Sequence, residues 1–188
     1  QSLSANGFHS PLRSVHAVLD KDRQPLERYS LEVDNQVKPE AMALVNSALI
    51  DVTKYGTARR LSDSISIQVA GKTGTSDDLR DSWFAGFSGD VMAVVWTGFD
   101  DNRESSLTGS SGALRIWQNL MKPVAYKPYQ LPEMSTISSY WIDTKSGLLS
   151  EKGCENAVEL RFIEGTQPEQ HSECESSGSS NWFLDLFN

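Results

Sequence analysis

Positive charge is scarce in this sequence: 17 Lys and Arg stand against 25 Asp and Glu, for a formal net charge of -8 and an isoelectric point near 4.9. Nucleic-acid affinity comes mainly from clustered cations on phosphates, so no nucleic-acid partner is expected. Histidine is scarcer still, at His9, His16 and His171 only, and the two cysteines, Cys154 and Cys174, form no C-x-x-C pair. That inventory argues against a structural zinc site, and nothing else in the sequence asks for a metal or a cofactor. Long apolar runs are also missing. None approaches the roughly 20 residues that a membrane-spanning helix needs, and the opening QSLSANGF has neither the basic nor the apolar segment of a signal peptide.

What is present suffices for a folded core, with 38% hydrophobic residues. Two weakly alternating runs, Arg13 to Leu19 and Leu26 to Val33, flank the turn-prone Asp20-Lys21-Asp22-Arg23 and predict a β-hairpin. Pro39 then opens a helix whose Met42, Val45, Leu49 and Val52 recur on one face, with Gly56 past its end. Ile65, Ile67 and Val69 alternate as strand residues do. DSWFAGF and VMAVVWTGF follow as adjacent antiparallel strands at the sheet centre, joined by a tight turn at Ser88-Gly89-Asp90. SGALRIWQNLMK reads as a helix with Leu114, Trp117 and Met121 on one face. From Pro123 the composition changes, and Pro128 and Pro132 stiffen a connector. The expected organisation is a main domain over 1–127, a small appended unit holding both cysteines over 128–175, and a spacer with the aromatic tail NWFLDLFN over 176–188. The cysteines admit two readings, a disulfide or two separate buried thiols. A disulfide is favoured; closing that loop would contribute ~3 kcal/mol in the chain-entropy model and would point to an oxidising compartment.

The segment that carries chemistry is QVAGKTGTSDDLRDSWFAGF, residues 68 to 87. A substrate peptide lying along a strand edge as an added strand needs a groove that its backbone can approach, and Gly74 leaves such room. Thr73 and Thr75 offer hydroxyls to a substrate carboxylate, and Lys72 supplies a positive field for that carboxylate and for proton traffic at a nucleophile. The Thr75 N–H is a candidate oxyanion donor. Lys72 and Thr75 are therefore the candidate catalytic residues, and Lys72, Thr73, Gly74 and Thr75 the candidate substrate-binding set. The nearby Asp77, Asp78 and Asp81 are read as a solvated loop rather than a metal site.

With Lys72-Thr73-Gly74 in place, VAGKTGTSDDLRDSWFAGF followed by AVVWTGFDD resembles the conserved strand region of class A penicillin-binding proteins, the bifunctional peptidoglycan synthases. YGTARRL resembles a glycine-threonine segment upstream of it, and QSLSANGFHSPLRSVHAVLDKDRQPL resembles the segment after the family's S-x-N motif. The resemblance implies an α+β fold: part of the penicillin-binding transpeptidase (serine β-lactamase-like) architecture, an antiparallel sheet with packed helices, plus a small C-terminal extension. It implies a D,D-transpeptidase that crosslinks peptidoglycan stem peptides through a serine acyl-enzyme and binds β-lactams. It also implies an upstream glycosyltransferase domain acting on a lipid-linked precursor, a single membrane anchor, a setting on the periplasmic face of the bacterial inner membrane, and envelope activator proteins as partners.

One element of that family is not in these residues. Its nucleophile is the serine of S-x-x-K, and no lysine of this sequence has a serine three positions before it. Two S-x-N triplets occur, Ser4-Ala5-Asn6 and Ser179-Ser180-Asn181, and both are read as incidental; no G-x-S-x-G elbow appears. The expectation is therefore one wall of an active site, inactive by itself, whose remaining wall belongs to the rest of the same enzyme. The competing readings are a fragment of a serine β-lactamase or D,D-carboxypeptidase, and a non-catalytic envelope-protein binding module.

Overall fold

The structure is a computed structural model that describes residues 1–30, 32–35 and 37–173. The chain parts into two compact units, Gln1–Leu131 and Pro132–Asn188. The expected boundary lay at residue 127. The structure extends the first unit to Leu131 because Tyr129 and Leu131 pack on Ile50, Ala70 and Phe87.

The first unit begins with short strands. β1 (Phe8–His9) pairs antiparallel with β4 (Asp34–Asn35), and β2 (Ala17–Leu19) with β3 (Pro25–Arg28). The predicted hairpin thus exists but is shorter than its sequence pattern: its ladder stops at Ala17 opposite Arg28 on the side away from the turn, and a register shift lies between Val18 and Leu19. Helix α1 (Pro39–Lys54) starts with Pro39 in its first turn, beside Glu40, and ends with Lys54, an order that suits the helix dipole.

The face that α1 buries matches its hydrophobic spacing at Met42, Leu49 and Val52, which are buried or packed against the core, and departs from it elsewhere. Met42, Ala43, Asn46, Ile50 and Thr53 point inward, whereas Val45 is exposed. Polar residues can occupy that face because their donors find partners, although the Asn46 amide oxygen has none among the described residues. Asn46 Nδ2 donates to Leu3 O (2.9 Å) and to the Tyr129 hydroxyl (2.6 Å), and Thr53 Oγ1 donates to Ile50 O (2.7 Å).

The main sheet is antiparallel in the order β5-β6-β7, with β5 (Ala70–Thr75), β6 (Ser82–Phe87) and β7 (Met92–Thr97). Only β6 is central; among the described residues β5 and β7 are edges. The strand at Lys72 also begins later than predicted. Ile65 and Val69 are buried, but Ile65 N–H returns to Leu61 O in the 3-10 turn Arg59–Asp63, so the ladder starts at Ala70.

Helix α2 (Ala113–Met121) lies against β6 and β7 and buries Leu114, Trp117 and Met121 as its spacing predicts. Trp117 meets Phe84 edge-on, with centroids 4.9 Å apart, and its Nε1 donates to Ala93 O. Strand alternation sends Trp83, Ala85, Met92, Val94 and Trp96 to the opposite face. That face is covered at the Phe87 end, where Phe87 and Ala70 pack on Ile50 and Tyr129, and is bare beyond it: Trp83 is 44%, Val94 58% and Trp96 41% exposed.

In the second unit, β8 (Ile137–Asp143) pairs antiparallel with β9 (Ala157–Ile163), and Leu149 bridges to both Ile142 and His171. Among the described residues of this unit, Ile142 and Cys154 are the buried apolar ones. Cys174, the expected partner of Cys154, lies outside the described residues, as do the aromatic tail and the Ser179-Ser180-Asn181 triplet.

Candidate active site on the edge strand

Lys72, Thr73, Gly74 and Thr75 are not a loop at a strand end. They form most of β5, so alternation gives them two directions. Lys72 and Gly74 pair with Ala85 and Trp83 and share the bare face, while Thr73 and Thr75 lie on the face toward Phe84 and Ser82. The outer edge of β5 has no partner strand among the described residues, the geometry that accepts an added strand.

Lys72 is exposed, and its Nζ donates to the neighbouring Thr73 O (2.8 Å). The ion pairs among the described residues, Arg13–Glu32, Arg80–Asp78 and Arg103–Asp101, leave it out, so its charge is not neutralised by a carboxylate. An uncompensated ammonium next to two hydroxyls on an open strand edge suits an anionic ligand.

The hydroxyls are held from outside the strand. Thr73 Oγ1 lies 2.7 Å from Thr57 Oγ1, and Thr75 Oγ1 accepts from Gly109 N–H (2.9 Å). Gly109 belongs to the turn before α2. A Cβ there would come within 2.6 Å of Gly74 O and 2.8 Å of Trp83 O, so only glycine lets this turn lie on the β5-β6 ladder. Ser82, fully buried, fastens the same turn: its Oγ donates to Thr108 O (2.8 Å) and accepts from Ala113 N–H (2.9 Å) at the start of α2. At Gly74 itself, a Cβ would meet Trp83 Cβ at 3.2 Å, so the missing side chain keeps the tryptophan close as well as leaving the strand clear.

The Asp77, Asp78 and Asp81 loop is held by its own contacts. Asp78 pairs with Arg80 (3.0 Å), and Asp81 accepts from Ser76 Oγ (3.0 Å) and from Trp96 Nε1 (2.8 Å). Asp78 and Leu79 both have positive φ, 56° and 53°, strained for non-glycine residues, and Leu79 O is pinned by Ser105 N–H and Oγ. Ser4-Ala5-Asn6 lies away from the strand: the Asn6 amide oxygen accepts from the Tyr129 hydroxyl, which ties the segment to the end of the unit.

Thr57, Ser82 and Gly109 had no place in the sequence-based site. Thr57 sits in the YGTARRL segment and Gly109 in the small-residue run TGSSG, and only folding brings them to β5. A concavity of about 400 Å³, lined by Thr57, Arg59, Arg60, Ser110 and Ser111, opens on this side.

With this strand and its brackets in view, the chain can be compared with known proteins. No protein-family model matches it. Penicillin-binding protein 1B of Vibrio cholerae is 34% identical over 190 residues, covering 100% of this chain and 24% of that protein. Its counterpart in Escherichia coli is 27% identical over 187 residues, covering 97% of the chain and 22% of the protein. The chain is homologous to a part of the class A penicillin-binding proteins 1A and 1B. It spans less than a quarter of the length of these curated relatives. Penicillin-binding protein 1A from Haemophilus influenzae shares the fold, with a TM-score of 0.77 at 23% identity over 90% of this chain and 31% of that one. Penicillin-binding protein PonA1 from Mycobacterium tuberculosis aligns with a TM-score of 0.60 at 21% identity over 71% of the chain and 38% of that one. The architecture is thus a partial penicillin-binding transpeptidase fold, as the class A resemblance implied.

Proposed function

We propose that this chain supplies one wall of a peptidoglycan D,D-transpeptidase site, with Lys72-Thr73-Gly74-Thr75 as the strand that receives a D-Ala-terminated stem peptide. The observation that carries the reading is the open edge of β5, with Lys72 free of any carboxylate among the described residues and two braced hydroxyls beside it.

The chemistry follows from those groups. A serine oxygen supplied by another part of the enzyme attacks the penultimate D-Ala carbonyl, the amide bond breaks, and the terminal D-Ala leaves with a proton. An acceptor amine then attacks the serine ester, forms the crosslinking amide and returns the serine. The hydroxyls of Thr73 and Thr75 hold the terminal carboxylate, and Lys72 stabilises it and assists proton transfer at the serine. The Thr75 N–H donates to the oxyanion. A β-lactam enters the same cycle at the acylation step. The bare face of Trp83, Val94 and Trp96, with Lys72 on the same side of the sheet, is the surface on which a serine-bearing segment would pack.

The parent enzyme is further read as also a glycosyltransferase on a lipid-linked precursor. It would be anchored at the inner membrane, work on its periplasmic side and meet activator proteins there. In the described residues no helix is long and apolar enough to cross a membrane.

Two mass measurements test the reading. The 188-residue chain incubated with a penicillin is expected to keep its mass. The natural protein that carries this sequence with its upstream S-x-x-K region is expected to gain one penicillin, and Lys72→Ala should slow that acylation by about 10²-fold or more. A covalent adduct on the 188 residues alone would place the acylating serine within them and overturn the assignment.

A further inference from the structure

Thr73 and Thr75 are both engaged, but their protons stand differently. Thr75 Oγ1 accepts from a backbone N–H, so its own proton is free to point at a ligand. Thr73 Oγ1 shares a short contact with Thr57 Oγ1, in which either oxygen can be the donor. A hydroxyl has one proton. If Thr73 gives it to Thr57, it has none for a ligand.

A carboxylate resolves the choice, because an ionised carboxylate only accepts. Once it sits at the strand edge, Thr73 must donate to it, and the contact with Thr57 survives only if Thr57 donates to Thr73. The two hydrogen bonds then run in one direction and polarise each other. Thr57 is well placed for this. Tyr55 and Gly56 N–H return to Asp51 O and Val52 O, and Ala58, fully buried, donates to Val52 O, so the exposed Thr57 is held between anchored neighbours. Arg59 and Arg60, which line the same concavity, raise the positive potential around it.

We propose that Thr57 is a positioning residue that turns the Thr73 hydroxyl into a committed donor toward ligands carrying a free carboxylate. This rests on the transpeptidase reading. The selectivity it confers is for the carboxylate, not for the reacting carbonyl.

The test uses the natural protein that carries this sequence together with its acylating serine. Second-order acylation rates are measured with a β-lactam bearing its free carboxylate and with the neutral methyl ester of the same compound. Thr57→Val should slow the carboxylate probe about tenfold, the worth of roughly one hydrogen bond to a charged group. The ester should be unaffected, and Thr57→Ser should restore the wild-type ratio of the two rates. If thermal melting shows Thr57→Val to be unfolded, Thr57→Ala carries the same comparison. An equal fall for both probes, or an unchanged ratio in both hydroxyl-free variants, overturns the assignment while leaving the transpeptidase reading intact. A wild-type protein acylated by neither probe overturns both.

Discussion

Single residues at the site divide into those that would touch a ligand and those that hold them. Ser82 shows the second kind: one buried hydroxyl joins the Thr108 carbonyl to the start of α2, and thereby seats the Gly109 N–H on Thr75. Tyr129 plays a similar part at the other end of the unit, where its phenol donates to Asn6 and accepts from Asn46. Tyr129→Phe leaves the buried Asn46 amide without that acceptor and should destabilise the protein by about 1–3 kcal/mol in denaturant titrations. Its pH signature is separate. Burial pushes the Tyr129 phenol above its ordinary value of 10.0, with the Asn46 hydrogen bond opposing. The folded state therefore holds this proton more tightly than the unfolded chain. The contribution is complete below the unfolded value of about 10 and is lost as pH rises through the folded one. Wild type should lose stability in that alkaline window more steeply than Tyr129→Phe; parallel curves would refute the link.

At the level of elements, the sheet and α2 form the platform that orients β5. Trp117 is fully buried, meets Phe84 edge-on and reaches the Ala93 carbonyl, so it couples the helix to the two strands behind Lys72. Trp117→Ala should cost about 3–5 kcal/mol, read from thermal or denaturant unfolding. A loss below 1 kcal/mol would mean that the helix repacks without it. Helix α2 was legible because Leu114, Trp117 and Met121 recur at a helical spacing and all three are buried against the sheet, while Ile116 and Leu120 stay exposed. Helix α1 was legible as a helix and only partly in its orientation: Asn46 and Thr53 are buried with Leu3, Tyr129 and Ile50 as hydrogen-bond partners, and periodicity of apolar residues cannot register buried polar groups. The strand at Lys72 was placed correctly and started too early, since Ile65 spends its N–H on Leu61 rather than on a ladder.

For the whole molecule, the described part of the second unit buries little beyond Ile142, Cys154 and the Tyr140–Phe162 ring pair. A two-stranded hairpin of this kind is marginal without a further constraint, which is where a Cys154–Cys174 disulfide would act. Cys154→Ser should destabilise this unit by ~3 kcal/mol, seen as an earlier loss of amide protection over residues 137 to 163 in hydrogen exchange. Equal protection in both proteins would remove the disulfide from the account. The sequence by itself determined the strand at Lys72, both helices and the family resemblance, because Lys-Thr-Gly-Thr and the apolar spacings are local patterns that survive in a linear reading. Only the tertiary structure decided what holds the strand's hydroxyls. Thr57 and Gly109 reach Thr73 and Thr75 from opposite directions along the chain. Such contacts between residues far apart in sequence depend on how α1, the sheet and α2 pack, and no local pattern encodes that packing.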